Sequence, residues 1–251
     1  MPPPGPIGQA TVGILLAGGG STRLGSAAAA TGGGKALLTF QGQTFVERVA
    51  CALEADVVRT VVVAAPGQPL PPLGHARIVR DSTPGAGPLA GIRDGLRAAL
   101  AGDQDAATLP RLAVVASCDV PLLSQEVVRL LIDSAAGSDA LWTLPLVHGH
   151  RQVLVSVMRV ELLPWIEAWL ATGRRDLRGL LCEIAREDPR SVCEVTEEAC
   201  QAVDPLLASF ADIDTPADLE RLQSQRYSPS RDGGETSILP HYGDATHPIR
   251  R

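Results

Sequence analysis

An α/β fold is what this sequence predicts: a Rossmann-like, three-layer α/β/α arrangement around a mostly parallel sheet. Three observations predict it. Apolar, β-branched runs recur at Val12 to Ala17, Val57 to Ala65 and Leu112 to Ala116, and near-continuous apolar runs suit strands buried on both faces. Stretches with helical spacing of apolar residues stand between them. The resulting order, β-α-β-β-α-β-α, is that of parallel strands joined by helical crossovers.

The elements follow in sequence. Residues 1–10 are rich in Pro and Gly and are expected to be a disordered arm. Val12 to Ala17 is the first buried strand, and Gly18 to Lys35 is a long loop of the kind that is usually functional or mobile in a compact domain. Thr44 to Glu54 places Phe45, Val46, Val49 and Leu53 on one helical face. Val57 to Ala65 and Ala76 to Val79 are strands. Leu89 to Leu100 is a helix behind Pro88, a favoured first-turn residue. Leu112 to Ala116 is the next strand, and Ser124 caps a helix from Gln125 to Ala135. Ala140 to Leu144 and Gln152 to Val157 read as strands around the turn Val147-His148-Gly149-His150. Helices are expected over Val160 to Ala171 and Leu177 to Ile184, a short strand over Phe210 to Asp214, and a last helix from Pro216 to Gln223. One domain is therefore expected over residues 11–223, with a disordered tail over 224–251.

Composition narrows the function. The chain has 251 residues, of which 45% are hydrophobic, enough for one sizeable core. A net charge of −6 argues against a broad nucleic-acid surface. No apolar run reaches the roughly 18 residues of a membrane span, and the start lacks the basic and apolar regions of a signal peptide. Cys51, Cys118, Cys182, Cys193 and Cys200 are an odd set without a C-x-x-C pair, which argues against a disulfide framework or a zinc site. A reducing cytoplasm is the expected location.

The chemistry concentrates at strand ends. Leu16-Ala17-Gly18-Gly19-Gly20 runs from the first strand into a glycine cluster, with Arg23 and Lys35 in the same loop. Exposed N–H groups of such a turn form an anion-binding concavity, and an arginine can grip phosphate oxygens through paired bonds. The loop is not a P-loop, since Ala29 and Ala36 stand where that motif needs Gly and Ser or Thr. Nor is it a dinucleotide fingerprint, because Arg23 takes the place of the third glycine. Ligands of open α/β sheets bind at the carboxyl ends of strands. Asp119 follows the strand Leu112 to Ala116 at such an end and suits Mg²⁺, which takes one or two carboxylates plus substrate phosphates. Asp81 follows another strand and reads equally as a nucleoside contact or an Asx turn. Asp212 and Asp214 alternate along the expected strand and so face opposite sides; Asp214 reads equally as a site residue or the cap of the last helix. His148 and His150 read as a polar loop, and Cys118 as a small buried residue.

These residues together resemble the molybdenum cofactor guanylyltransferase family, over about residues 11–223. The carriers are Leu16-Ala17-Gly18-Gly19 with Arg23-Leu24-Gly25 and Lys35, then Gly87-Pro88-Leu89-Ala90-Gly91-Ile92, Cys118-Asp119-Val120-Pro121, Gly173-Arg174-Arg175, and Phe210-Ala211-Asp212-Ile213-Asp214-Thr215-Pro216. The sequence departs from the family at Ser26 to Gly34, which are extra residues, and at Gly34 itself, where an acidic residue is usual. Ala64-Ala65 stands where some relatives offer a polar contact to the nucleotide, and Asp212 and Asp214 replace asparagines found in some relatives, an Asp-Ile-Asp form that also occurs in cytidylyltransferase relatives.

The resemblance implies a nucleotidyltransferase fold and transfer of GMP from GTP to molybdenum-bound molybdopterin, with release of pyrophosphate. It implies Mg²⁺ as cofactor, held by Asp119 with help from Asp214. Arg23, Lys35 and Asp119 would be catalytic. Leu16, Ala17, Gly18, Gly19, Gly20, Lys35, Asp81 and Asp119 would bind the nucleotide. The partners implied are GTP, molybdenum-molybdopterin, and molybdoenzymes or their chaperones, with no nucleic acid and no membrane. Cytidylyl transfer to the same cofactor, nucleotidyl transfer to a sugar phosphate, and a degenerate nucleotide-binding regulator are the competing readings.

Overall fold

The computed structural model describes residues 10–18, 24, 31–32, 34–101 and 109–224. The expected arm 1–10 and tail 224–251 fall outside these, apart from Ala10 and Ser224. Ten strands lie among the described residues: β1 Thr11–Leu16, β2 Thr39–Phe40, β3 Gln43–Thr44, β4 Arg59–Ala64, β5 Arg77–Arg80, β6 Leu112–Ser117, β7 Trp142–Val147, β8 His150–Arg151, β9 Val155–Arg159 and β10 Val192–Val195. Seven α-helices accompany them: α1 Phe45–Glu54, α2 Pro88–Leu100, α3 Gln125–Ala136, α4 Leu163–Ala171, α5 Leu177–Glu187, α6 Glu197–Val203 and α7 Pro216–Ser224.

The main sheet has the order β10-β7-β9-β6-β1-β4-β5, with β8 paired to β7. β1 pairs in parallel with β4 on one side and β6 on the other, and β4 pairs in parallel with β5. β9 is antiparallel to both β6 and β7, and β10 returns to a parallel pairing with β7. The expected mostly parallel sheet is therefore present. Its topological switch point lies at β1, where strands on either side open a crevice at their carboxyl ends.

Alternation along β1 divides the core. Leu15 faces a cluster with Val49 and Leu53 of α1, Val127 and Leu131 of α3, and Cys200 of α6. Ile14 and Leu16 face Leu89, Ile92 and Leu96 of α2, Ile166 of α4 and Leu180 of α5. Helices thus cover both faces in three layers. Local signals start these helices. Thr44 and Glu47 form a reciprocal capping box on α1, and Ser124 accepts from the Val127 N–H on α3. Val160–Leu162 is a 3₁₀ turn, and α4 begins at Leu163 with Pro164 in its first turn, so the expected single helix from Val160 is split.

The expected strand Phe210 to Asp214 does not form. Ala208–Phe210 is a 3₁₀ turn, and residues 211–214 join no strand ladder. β10 and α6 were not expected from the sequence. No helix among the described residues is long and apolar enough to cross a membrane.

Helix α2 lies close enough to the sheet that a Cβ at Gly95 would stand 2.6 Å from Cγ2 of Ile14 and 3.3 Å from Cγ2 of Val63. Gly95→Val should therefore destabilise the protein by about 1–3 kcal/mol, the usual cost of overpacking a core. Urea unfolding checks this; an unchanged midpoint would contradict the packing.

Candidate active site

The carboxyl ends of β1, β4 and β6 are bound together by backbone groups. Ala17 and Gly18 both donate their N–H to the Val63 carbonyl, at 2.9 and 3.1 Å, and the Cys118 N–H donates to the Leu16 carbonyl at 3.0 Å. Gly18 lies so near the end of β4 that a Cβ there would be 2.9 Å from the Ala65 nitrogen. The glycine is thus required by a neighbouring strand, before any ligand is considered. Gln68 closes the same junction. Its amide donates to the Ala17 carbonyl at 3.0 Å and accepts from the Ala65 N–H at 2.9 Å.

Lys35 enters from a 3₁₀ turn, Gly34–Leu37. Gly34 has φ +69°, a conformation that L side chains rarely adopt. Glycine is the residue that takes this conformation at least cost. The Lys35 Nζ donates to Asp214 Oδ1 at 2.5 Å and lies 3.8 Å from Asp119 Oδ2. The lysine side chain is only 14% exposed, so its charge acts in a partly desolvated place where attraction to carboxylates is strengthened.

The carboxylates arrive from two segments. Asp119 follows β6 in a turn where the Val120 N–H donates to the Ser117 carbonyl at 3.4 Å. The Ile213 N–H donates to the Asp119 carbonyl at 2.9 Å, which seats the closing segment on that turn. Ile213 is buried with Leu24, Leu38, Phe40, Phe45 and Leu222 in a third apolar cluster. Both neighbours of Ile213 come to the site, contrary to the expectation that Asp212 and Asp214 face opposite sides. The strict alternation of a strand does not apply to a segment without a ladder. Asp214 is not the cap of α7 either. Thr215 and Asp218 cap it reciprocally, Thr215 N–H to Asp218 Oδ2 at 2.7 Å and Asp218 N–H to Thr215 Oγ1 at 3.2 Å.

Asp212 keeps an exposed surface, yet its carboxyl is pushed up to about 6. Withdrawal from water is the largest cause, followed by the charges of Asp119 and Asp214, with Lys35 opposing. Asp212 belongs to the charge cluster, although the sequence singled out Asp214. Cys118 is buried and its thiol is pushed up to about 12, chiefly by burial and then by Asp119, so it is no nucleophile.

Asp81 stands at the end of β5, where its N–H donates to the Ala64 carbonyl at 2.8 Å. Its Oδ1 accepts from the Thr83 N–H at 2.8 Å, an Asx turn at the carboxyl end of the strand. Arg174 stacks on Trp169, 4.4 Å from the ring centroid, and Arg175 donates to the Gly85 carbonyl at 3.4 Å. The first contact packs the loop before α5 on α4, and the second brings it against the segment leading into α2. The His148 N–H donates to Glu197, and His150 lies in β8, so the pair forms a polar hairpin. Arg23, Gly19 and Gly20 lie outside the described residues.

The donor set at Lys35 consists of oxygens only. Among the described residues no three His, Cys, Asp or Glu side chains form a ready metal cage. Asp119 and Asp214 nonetheless converge on one cation, and two carboxylates completed by substrate phosphates are the pattern Mg²⁺ takes. The residues fit a hard divalent cation.

This constellation meets its relatives in sequence. Residues 13–188 match the family described as the MobA-like NTP transferase domain. The chain belongs to that family. A probable molybdenum cofactor guanylyltransferase of Mycobacterium avium is 35% identical over 214 residues, spanning 85% of this chain and 95% of the relative. Its counterpart in Mycobacterium tuberculosis is 34% identical over 194 residues, 74% of this chain and 89% of the relative. Among solved structures, molybdopterin-guanine dinucleotide biosynthesis protein A of Archaeoglobus fulgidus superposes with a TM-score of 0.67 at 22% identity, covering 84% of this chain and 96% of that one. The 2-C-methyl-D-erythritol 4-phosphate cytidylyltransferase of Thermus thermophilus gives 0.59 at 19%, covering 84% and 96%. These two likenesses establish the nucleotidyltransferase fold.

The raised carboxyl of Asp212 sets a pH dependence. Its folded value of about 6 exceeds the ordinary 3.8, so the native state binds more protons between them. Stability therefore falls as pH rises from about 4 to 6. Asp212→Asn should melt at a higher temperature than the parent at pH 7–8 in chelator, and the gap should close below about pH 4. Thermal melts across this range check it; a pH-independent gap would contradict the shift.

Proposed function

We propose that the protein transfers GMP from GTP to the terminal phosphate of molybdenum-bound molybdopterin and releases pyrophosphate. The observation that carries this reading is the convergence of Lys35, Asp119 and Asp214 at the switch point of a MobA-like nucleotidyltransferase sheet. The guanylyl branch is supported by the names of the mycobacterial relatives and by their identity over most of both chains.

In this reading a phosphate oxygen of the acceptor attacks the α-phosphorus of GTP. The bond from that phosphorus to the bridging oxygen of the β-phosphate breaks, and pyrophosphate leaves. The nucleophile is already an anion, so no strong general base is required. The barrier is mainly the approach of one polyanion to another. Two unit charges 4 Å apart interact by ~4 kcal/mol at an effective dielectric of 20. Neutralisation and positioning therefore dominate catalysis.

Each residue then has a task. Lys35 neutralises the triphosphate and the charge that grows on the leaving pyrophosphate, with Arg23 assisting from the same loop. Leu16 to Gly20 meet base and phosphates through backbone groups, and Asp81 meets the nucleoside from the β5 edge. Asp119 and Asp214 hold the metal, taken to be Mg²⁺. When bound, it supplies Lewis-acid neutralisation of the phosphate oxygens. Val147 to Gln152 and Arg174–Arg175 face the pterin side. A cytosolic enzyme serving molybdoenzymes or their chaperones fits this chemistry. Cytidylyl transfer is the second reading, favoured by the Asp212-Ile213-Asp214 form that some cytidylyltransferases share.

Pyrophosphate release is to be measured with GTP, CTP, ATP and UTP in turn, with Mg²⁺ and molybdenum-loaded molybdopterin. Release with GTP alone is expected, and release with CTP alone would move the enzyme to the cytidylyl branch. Release with none would overturn the reading. Asp119→Ala should lower kcat by about 10²–10³-fold, the usual loss on removing one preorganised electrostatic group, while circular dichroism shows the fold intact. Lys35→Ala should weaken GTP binding in a titration; unchanged affinity would remove Lys35 from the site.

A further inference from the structure

Arg48 has no part in the roles above, yet it touches the supports of the charge cluster. It sits on α1 and is half buried. Its Nε–H donates to the Pro121 carbonyl at 2.8 Å, and its guanidinium stands 5.0 Å from the centroid of the Phe40 ring. Pro121 is two residues beyond Asp119. Phe40 follows the turn that carries Lys35 and packs in the same cluster as Ile213. One side chain therefore touches two of the three segments that supply the cluster and reaches the third only through Phe40.

The energetics single Arg48 out. Among the described residues no carboxylate pairs with it, although burial draws its pKa below the ordinary arginine value, with Cys51 opposing. Withdrawing a guanidinium from water without a counter-charge is costly. The compensation here is one carbonyl bond and one aromatic face. Beside this contact lies a cavity of about 200 Å³, lined by Gln43, Arg48, Cys51, Pro121, Leu123 and Gln125. Cys118 and Asp119 are tied to Leu16 and Ile213. On the side of this cavity, Arg48 holds the turn at the Pro121 carbonyl, while Gln125 ties the start of α3 to the Cys51 carbonyl of α1 at 3.3 Å.

We infer that Arg48 is a positioning residue for metal binding. It fixes the Asp119 turn against the Lys35 segment, so that the carboxylates keep their spacing for a divalent cation bound with nucleotide. The inference rests on the nucleotidyl-transfer reading.

The test compares the parent with Arg48→Met, which keeps the apolar stem but has no donor, and Arg48→Lys, which keeps a charge and a donor without the planar fork. Mn²⁺ binding in the presence of GTP is followed by electron paramagnetic resonance, and turnover is followed against Mg²⁺ concentration. Binding of a fluorescent GTP analogue is measured in EDTA. Arg48→Met should weaken Mn²⁺ binding by about 10–100-fold, the usual effect of losing a group that orients a metal ligand. It should raise the Mg²⁺ needed for half-maximal rate by a similar factor. Arg48→Lys should fall between, and metal-free nucleotide affinity should stay within about twofold. Unchanged Mn²⁺ affinity would overturn the inference. So would a metal-free nucleotide affinity that falls by the same factor, since that marks general loosening. If Arg48→Met does not fold, Arg48→Lys carries the test. A parent protein that binds neither Mn²⁺ nor GTP would overturn the nucleotidyl-transfer reading itself, and the inference with it.

Discussion

The ammonium of Lys35 lets three aspartates share one corner of the molecule. Asp119, Asp212 and Asp214 repel one another, and the carboxyl of Asp212 is raised first by withdrawal from water and then by that repulsion. Lys35 offsets it by bonding Asp214 and lying near Asp119. Much of the surrounding architecture serves this contact. The 3₁₀ turn delivers the lysine, the Thr215–Asp218 capping box leaves Asp214 available, and the Ile213–Asp119 backbone bond brings the segments together. Among the described residues Lys35 is the cation that holds these carboxylates, an arrangement suited to exchanging charge with an incoming nucleotide and its metal.

β1 is the second constraint. Its two faces feed separate cores, so its carboxyl end is held by both helical layers and by both neighbouring strands. That rigidity is passed to Leu16, Ala17 and Gly18. Gln68 and Gly18 fix the distance from this end to β4 from opposite directions, one by bonding and one by having no side chain. Backbone groups that are already oriented need little reorganisation to meet a charged ligand.

The sequence made the parallel sheet legible because the apolar runs of β1, β4 and β6 are long and separated by amphipathic helices, one begun by a capping box and one by a proline. Asp119 was legible because it closely follows β6, and Lys35 because it closes the glycine-rich loop that leaves β1. The closing segment was not. Phe210 to Asp214 has the alternation of a strand whether or not a partner strand exists, and here none does. β10 and α6 are short and mixed in composition, which leaves little periodicity to read. The fastening residues were hidden for another reason. Gln68 reaches Ala17 across 51 residues and Arg48 reaches Pro121 across 73, and only the folded chain brings these together. Arg23 and the other residues of the glycine loop beyond Gly18 rest on motif alone.

Lys35 and Asp214 are 179 residues apart in the chain. This separation has a consequence for biosynthesis. At ~5–20 residues per second, roughly 10–40 s pass on the ribosome between the two. The central strands have all emerged by then, but the carboxylate that completes the lysine's bonding has not. Contacts this distant also carry the largest loop-closure cost, so they come late in refolding. A nascent chain can hold its sheet before it holds its charge cluster, and competence to bind ligand then becomes a signal that synthesis has passed α7.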